Sequence, residues 1–550
     1  MHVPTAARRA FDTMLALTAV ATLLALAIRI TTTVRFGALV PAPIEGPGLY
    51  TIWKVQHGYP AYEWPTREFF ALTLYNFLFY QSYAQMLSLL GVREVWLPVA
   101  AKLVTVAFAG AGAIVQYVTA AAILKRRGIR PNAAVLATFA FVTWFGAGFI
   151  GPWAVSARPD VPACVFALAG FACCASYVDG RSAARLIAAG LLFYLAWAFK
   201  QSAVAMLAGV CVYVLAVRRS IRDLSLVSVP FGAMAGLTIA LGGAAYRYNV
   251  LVAPSVAQGF EWWTSWFYLR GVFLPNAPVW AAVAFAASTA IVARRRPDAW
   301  PVGRDLASLF ACTIAVTFVM GVILMAKIGS ALNHGFEFWV TSALLASIVG
   351  GALMTSSTSS TSSTSSTSSS APSASPGIYA LSSALLAVPL IFTAAHLAGS
   401  ERVIRILGLS ASVERMRLGS EHVYAARAQL HDRLRDLPRP VHIDDELLAQ
   451  PWYANGNRYP AIVLDHVFYD AAGAKNLLER GGVLSLVDRR YFGTVVAFVP
   501  PFYVFRAAQS AGYVEVDRLP WFADAEAVVL VRSAAPDPDQ IKRPTRRRTP

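Results

Sequence analysis

The chain has 550 residues, 57% of them hydrophobic and 14% charged, with a mean hydropathy of +0.53, too little polar surface for a water-soluble globule. The formal net charge of +17 comes largely in short clusters, Lys125-Arg126-Arg127, Arg218-Arg219 and Arg294-Arg295-Arg296, that alternate with apolar runs. That spacing fixes orientation in a bilayer and excludes a nucleic-acid partner, which would need one continuous basic stripe.

An apolar run at 11–30 follows Arg8 and Arg9 and reads as an uncleaved first span with its N-terminus in the cytoplasm. The outer loop region 31–95 comes next and holds the polar, aromatic stretch 44–80. That stretch carries Glu45, Glu63 and Glu68, three of only twelve acids between Met1 and Ser400. Residues 69–90 are apolar, but a crossing there would carry Lys125-Arg126-Arg127 to the outer face. They are therefore expected to form a helix lying along the outer interface.

The remaining spans then alternate in direction: 96–124, 132–149, 161–178, 183–199, 203–217, 224–245, 277–293, 306–326, 336–354 and 378–397, eleven with the first. Seven of the twelve scarce acids fall in outer loops: Glu45, Glu63, Glu68, Glu94, Asp160, Glu261 and Glu337. The chemistry is expected outside the cytoplasm. A Ser/Thr repeat makes 355–377 a flexible linker before the last span. From residue 401 the composition changes, and short β-rich runs at 441–443, 461–464, 494–499, 513–516 and 527–531 predict a small extracytoplasmic α/β domain over 401–535. Residues 536–550 form a basic, disordered tail. The predicted fold is thus mainly α, a polytopic membrane bundle of residues 1–400 with a small α/β domain.

All five cysteines lie in apolar spans, so neither disulfides nor Cys-ligated zinc is expected. Charges inside or near a membrane are costly, which makes the outer-side ones informative. Four clusters stand at predicted outer span ends: Ile44-Glu45-Gly46, Ala157-Arg158-Pro159-Asp160, Lys200-Gln201-Ser202 and Gly329 to Glu337 (GSALNHGFE). Together they hold what moving a group from an anionic phosphate to a hydroxyl or amine requires. A carboxylate serves as base, and cations stabilise the phosphate as negative charge collects on it. Arg158 suits two-pronged binding of phosphate oxygens and Lys200 acts as a point charge.

The order of these clusters resembles the GT-C superfamily, polytopic glycosyltransferases that use polyprenyl-phosphate sugars, such as protein O-mannosyltransferases and aminoarabinose transferases. The resemblance covers roughly residues 10–400. It implies that Glu45 is the first-loop acid that acts as base or orients the acceptor, although many relatives have Asp-Glu where this chain has Ile44-Glu45. It implies that Arg158, Lys200 and His334 hold the lipid phosphate, with Asp160 orienting Arg158. Gln201, Asn333, Glu337 and Glu63 would support the site, Tyr62 and Pro65 match landmarks of the first loop, and Tyr75 and Asn76 would lie on the interfacial aromatic helix.

Plainer readings stand beside these. Glu45, His57, Glu63 and Glu68 also suit solvated loop groups, and Arg158 and Lys200 suit side chains that snorkel to the headgroups. His334 also fits a packing role, and Glu337 a partner for a cation or a helix N-terminus. The aromatic run 261–268 (EWWTSWFY) fits either a sugar-stacking surface or a headgroup-level anchor. No metal is required. Magnesium or manganese is possible, though the run His442-Asp444-Asp445-Glu446 reads better as a strand end. The expected partners are a polyprenyl-phosphate sugar donor, membrane lipids and an extracytoplasmic glycan, lipid or protein acceptor. The rival class is a transporter or flippase of a lipid-linked sugar, and a non-catalytic assembly partner is a third.

Overall fold

The computed structural model describes residues 5–36, 45–63, 73–92, 96–146, 150–256, 262–269, 303–327, 332–355, 437–438, 441–443, 461–463, 483–499, 503–520 and 526–533. The expected spans at 277–293 and 378–397, nearly all of the linker, the segment 401–436, the acids Glu68 and Asp444 to Glu446, and the tail lie outside them.

Among the described residues, six helical stretches are long and apolar enough to cross a membrane: Asp12–Thr31, Leu97–Arg126, Asp160–Gly180, Ile221–Leu241, Arg304–Met325 and Asn333–Ala352. The first belongs to α1 (Thr5–Phe36) and the second is α4 (Leu97–Arg126). Next come α5 (Ala133–Phe145), α6 (Asp160–Gly180) and α7 (Ala183–Phe199). The chain continues with α8 (Ala205–Tyr213), which runs on into a π turn (Val214–Arg218), and with α9 (Ile221–Leu241).

Two expected spans are shorter than their hydropathy suggested. The run 132–149 gives a helix only to Phe145, because Gly146 takes up extended backbone angles. The run 224–245 stops at Leu241, where Gly242 and Gly243 intervene and Gly243 has φ +72°, a conformation glycine adopts at little cost. Short pieces follow: α10 (Gly243–Arg247), a π turn (Tyr248–Val252), α11 (Ala253–Val256) and α12 (Trp262–Tyr268). Then come α13 (Arg304–Met325), a 3-10 turn (Leu332–Gly335) and α14 (Phe336–Thr355).

The first outer region is more buried than its polarity implied. Glu45 opens α2 (Glu45–Gln56), in which Leu49, Tyr50, Ile52, Trp53 and Lys54 are fully covered. The helix expected over 69–90 is α3 (Phe77–Leu89), and Tyr75 and Asn76 are not on it. Asn76 has extended angles and its side chain accepts the Phe77 N–H, an N-cap that starts the helix one residue later. Its thirteen residues reach about 20 Å, against a hydrocarbon core of roughly 30 Å, and α3 is not one of the six stretches long and apolar enough to cross.

Ion pairs define one end of the bundle. Arg126 and Arg127, at the end of α4, meet Asp179 near the end of α6, while Arg181 and Arg218 meet Asp305 in the first turn of α13. Tyr177 donates to Asp223 at the start of α9. The ends of α4, α6 and α8 therefore gather with the starts of α9 and α13, as alternating directions require. Asp160, at the other end of α6, stands a full helix length away.

The five predicted strands all form: β1 (Val441–Ile443), β2 (Ala461–Val463), β3 (Thr494–Val499), β4 (Tyr513–Pro520) and β5 (Glu526–Arg532). They make one mixed sheet in the order β2-β1-β3-β5-β4, with β1 parallel to β2 and β3, and β5 antiparallel to β3 and β4. Alternation divides its faces. Val495, Ala497, Val528 and Leu530 pack with α15 (Val483–Asp488), α16 (Tyr503–Ser510), Tyr248 and Ala253, whereas Val441, Val496 and Val529 join the core continuous with the membrane helices.

Close approach of helices rests on small residues. A Cβ on Gly209 of α8 would sit 2.6 Å from Thr313 Cα in α13, while one on Gly236 would meet nothing within 4 Å. Gly209→Val should therefore lower stability in detergent by about 1–3 kcal/mol by forcing two backbones apart. Gly236→Ala should change it by less than about 1 kcal/mol and in the stabilising direction, both read by thermal unfolding.

Candidate active site

The site is built around the start of α6. A 3-10 turn at Trp153–Val155 leads into Arg158, whose N–H donates to Ser156 O, and Pro159 then supplies helical φ for the entry to α6. Asp160 thus falls in the first turn, where the helix N-terminus favours negative charge. Lys200 comes from the far end of α7. There the chain leaves the helix, with Lys200 at extended angles, and Lys200 Nζ donates to Asp160 Oδ1. Asn333 Nδ2 donates to the same oxygen (2.6 Å) from the 3-10 turn ahead of α14.

Asp160, Lys200, Asn333, His334 and Glu337 line one small, partly open cleft with Cys164, Ser202 and Phe336. His334 lies within electrostatic reach of Lys200, Asp160 and Lys327. Asp160 Oδ2 and Asn333 Oδ1 are buried acceptors without a hydrogen-bond partner among the described residues. Glu337 accepts the N–H groups of Met206 (2.9 Å) and Ala205 (3.3 Å), so its carboxylate caps the start of α8 just beyond the Lys200 turn.

Glu45 reaches this cluster from behind. It has no exposed surface, its Oε1 accepts the Ala157 N–H (2.9 Å) and its Oε2 pairs with Lys102 (3.2 Å). One residue further on, the Arg158 guanidinium stacks 4.5 Å from the centre of the Trp153 ring. Tyr75 lies within electrostatic reach of the same groups: burial pushes its hydroxyl up to about 12, Arg158 opposes that rise, and Asp160 and Glu45 add to it. The phenol therefore keeps its proton at neutral pH.

Other predicted site residues hold the frame. Asn76 donates to Trp197 O (2.8 Å) and accepts from Tyr246 (2.5 Å), while Gln201 turns from the cleft to donate to Leu74 O (2.6 Å). Tyr62 donates to Tyr75 O (2.8 Å), and Tyr80 accepts the Tyr75 N–H. Glu63 pairs with buried Lys54 (2.6 Å), and its carbonyl accepts from Asn249 (2.9 Å). Burial lowers the Lys54 ammonium below the usual lysine range, against the pull of Glu63. His57 is exposed.

The sequence reading missed Lys102. It is the one charge of α4 ahead of Lys125, and a lone lysine in a long apolar helix is itself a signal. No cluster of three or more His, Cys, Asp or Glu that could hold a metal occurs among the described residues.

No family profile matches the chain by sequence, and neither does any curated protein. Solved structures do match in fold. ArnT from Cupriavidus metallidurans in the apo state superposes with a TM-score of 0.54 at 13% identity, covering 94% of this chain and 97% of that one. ArnT from the same organism bound to undecaprenyl phosphate gives 0.53 at 14% identity, covering 94% and 98%. The chain has the ArnT fold. ArnT is an aminoarabinose transferase of the GT-C family, so the architecture implied by the four ordered clusters is met at the level of fold.

The Glu45–Lys102 pair gives a direct test. Lys102→Met leaves Glu45 buried without that cation and should cost about 3–5 kcal/mol of stability. The double variant Lys102→Met/Glu45→Gln should regain most of the loss, because a neutral amide still accepts the Ala157 N–H. Thermal unfolding in detergent compares the three proteins.

Proposed function

We propose that this protein is an integral membrane glycosyltransferase. It takes a sugar from a polyprenyl-phosphate donor and passes it to a hydroxyl or amine of an extracytoplasmic glycan, lipid or protein. The observation that carries the reading is the meeting of residues 45, 157–160, 200–203 and 333–337 in one cluster of paired charges beside a cleft. Support comes from the ArnT fold, one of whose structures is bound to undecaprenyl phosphate. By the positive-inside rule the basic end of the bundle is cytoplasmic, which puts the cleft on the outer side.

In the proposed reaction the acceptor oxygen or nitrogen attacks the anomeric carbon as the bond from that carbon to the phosphate oxygen breaks. The electron pair leaves with the polyprenyl phosphate. Lys200, His334 and Arg158 hold that phosphate as its charge grows. Asp160 and Asn333 offer acceptor atoms suited to sugar hydroxyls. Glu45, oriented by the Ala157 N–H and by Lys102, takes the acceptor's proton. Because Glu45 is fully buried, the acceptor reaches it only when the surroundings open, as loops and lids do in many enzymes. Attack from the face opposite the phosphate inverts the anomeric centre.

Purified protein in vesicles with synthetic undecaprenyl-phosphate sugars and cell-envelope acceptors tests this. Lys200→Met should lower kcat/KM by roughly 10²–10³-fold. Glu45→Gln should lower it by about 10²-fold or more. Lys125→Met, at the basic end, should leave it unchanged. Full activity in Glu45→Gln would reject Glu45 as base, and movement of labelled lipid across the bilayer without transfer would replace the enzyme with a transporter.

A further inference from the structure

Helix α12 has a two-sided environment. Its Ser265 is buried and donates to Val322 O of α13 (2.7 Å), while Trp262, Trp263 and Trp266 are 62%, 70% and 55% exposed. Positions i, i+1 and i+4 lie within about 100° of one another around a helix, so the three indoles share one outward face. Large exposed aromatics of this kind would be a liability in water.

Their level in the bundle is set by α13. Its first turn belongs to the basic end through Asp305, which makes its last turns the cleft end. Ser265 is bonded to Val322, and at the adjacent Gly321 a Cβ would meet the carbonyl oxygen of His334 at 3.1 Å. The tryptophan helix and the turn that carries His334 therefore dock on the same turn of α13, about one helical turn inside its end at Met325. On the same helix Val319 and Ile323 are exposed and apolar, the outer surface of a membrane-crossing segment, and the tryptophan face continues that surface at its end.

We propose that α12 is a fixed interfacial anchor: Trp262, Trp263 and Trp266 sit in the boundary between headgroups and acyl chains. They thereby hold the cleft at the depth of the lipid phosphates. Indole suits this layer, because its ring is apolar and its N–H still finds a polar partner. The phosphate of a membrane-held donor then reaches Lys200 and His334 without leaving its leaflet. This last consequence rests on the transferase reading; the anchor itself does not.

The test uses the full chain reconstituted in phosphatidylcholine vesicles whose acyl chains carry bromine either near the headgroup or near the chain end. The wild type should lose more tryptophan fluorescence to the shallow bromine than to the deep one. That excess should shrink in Trp262→Phe/Trp263→Phe/Trp266→Phe, which removes three of the fourteen tryptophans and leaves exposed Trp96 at the start of α4. An excess unchanged in the variant would overturn the anchor. So would protection of these indoles from aqueous acrylamide by soluble sugar with no quenching by bromine, since they would then line a sugar site. A second arm compares Trp262→Ser/Trp263→Ser/Trp266→Ser with wild type. Transfer from an undecaprenyl-phosphate sugar in vesicles should fall about tenfold, while transfer from a short-chain, water-soluble analogue in detergent is kept. Equal loss with both donors would overturn the depth-setting role. Absence of transfer in the wild type would sink the transferase reading and leave the fluorescence result to decide the anchor.

Discussion

A charge removed from water must be met by an opposite charge or by aimed N–H groups, and the cleft end of this bundle is assembled around that constraint. Asp160 is met by Lys200 and Asn333, Glu45 by Lys102 and the Ala157 amide, and Glu337 by two amides that open α8. Each contact joins segments far apart in sequence, 112 residues apart for Glu45 and Ala157 and 173 for Asn333 and Asp160. Van der Waals packing holds apolar helices together in a bilayer with little preference for rotation or register. These pairings choose the arrangement, because a slip of one residue would strand a buried charge.

The same pairings shape what the cleft can bind. Arg158, Lys200 and Lys102 are matched in formal charge by Asp160, Glu45 and Glu337, so the site offers an anion little net attraction. What it offers is directed contact: an ammonium already fixed by Asp160, a guanidinium laid on Trp153, and a histidine in the same wall. Groups held in place before the substrate arrives need no reorganisation as charge develops, the condition for electrostatic catalysis.

Much of this was legible in the sequence, and the reasons differ from part to part. Hydropathy and basic clusters marked the crossings, since both follow from the cost of charge in hydrocarbon. Short runs rich in β-branched and aromatic residues marked all five strands. Three of the four site clusters were visible because carboxylates are rare before residue 400, and the fourth, Lys200-Gln201-Ser202, because it sets a cation at a span end. Partnership was not legible. Nothing in the order of residues joins Lys102 to Glu45 or turns Gln201 toward Leu74, because both depend on helix rotation. The start of α3 was misplaced by an apolar run that masked the capping role of Asn76. Composition does not show burial either: in the stretch 44–80, Glu63 suits a solvated loop group by sequence, whereas it pairs with buried Lys54, and Glu45 is buried against Lys102.

The C-terminal sheet is tied to the site rather than hung from it. Strands β3 and β5 are covered on both faces, one face closing on Tyr248 and Ala253, with Leu74 and Val252 packed against the same cluster. Tyr248 and Val252 bound a π turn, an irregularity that occurs mostly at functional positions. Leu74 precedes Tyr75, whose backbone is held on both sides by Tyr62 and Tyr80, and its own carbonyl accepts from Gln201, the neighbour of Lys200. A movement of the sheet against the π turn would be felt at the Tyr75 loop and, through Gln201, beside the Lys200–Asp160 pair. The small domain thus packs on the residue that precedes Tyr75, one hydrogen bond away from the neighbour of Lys200.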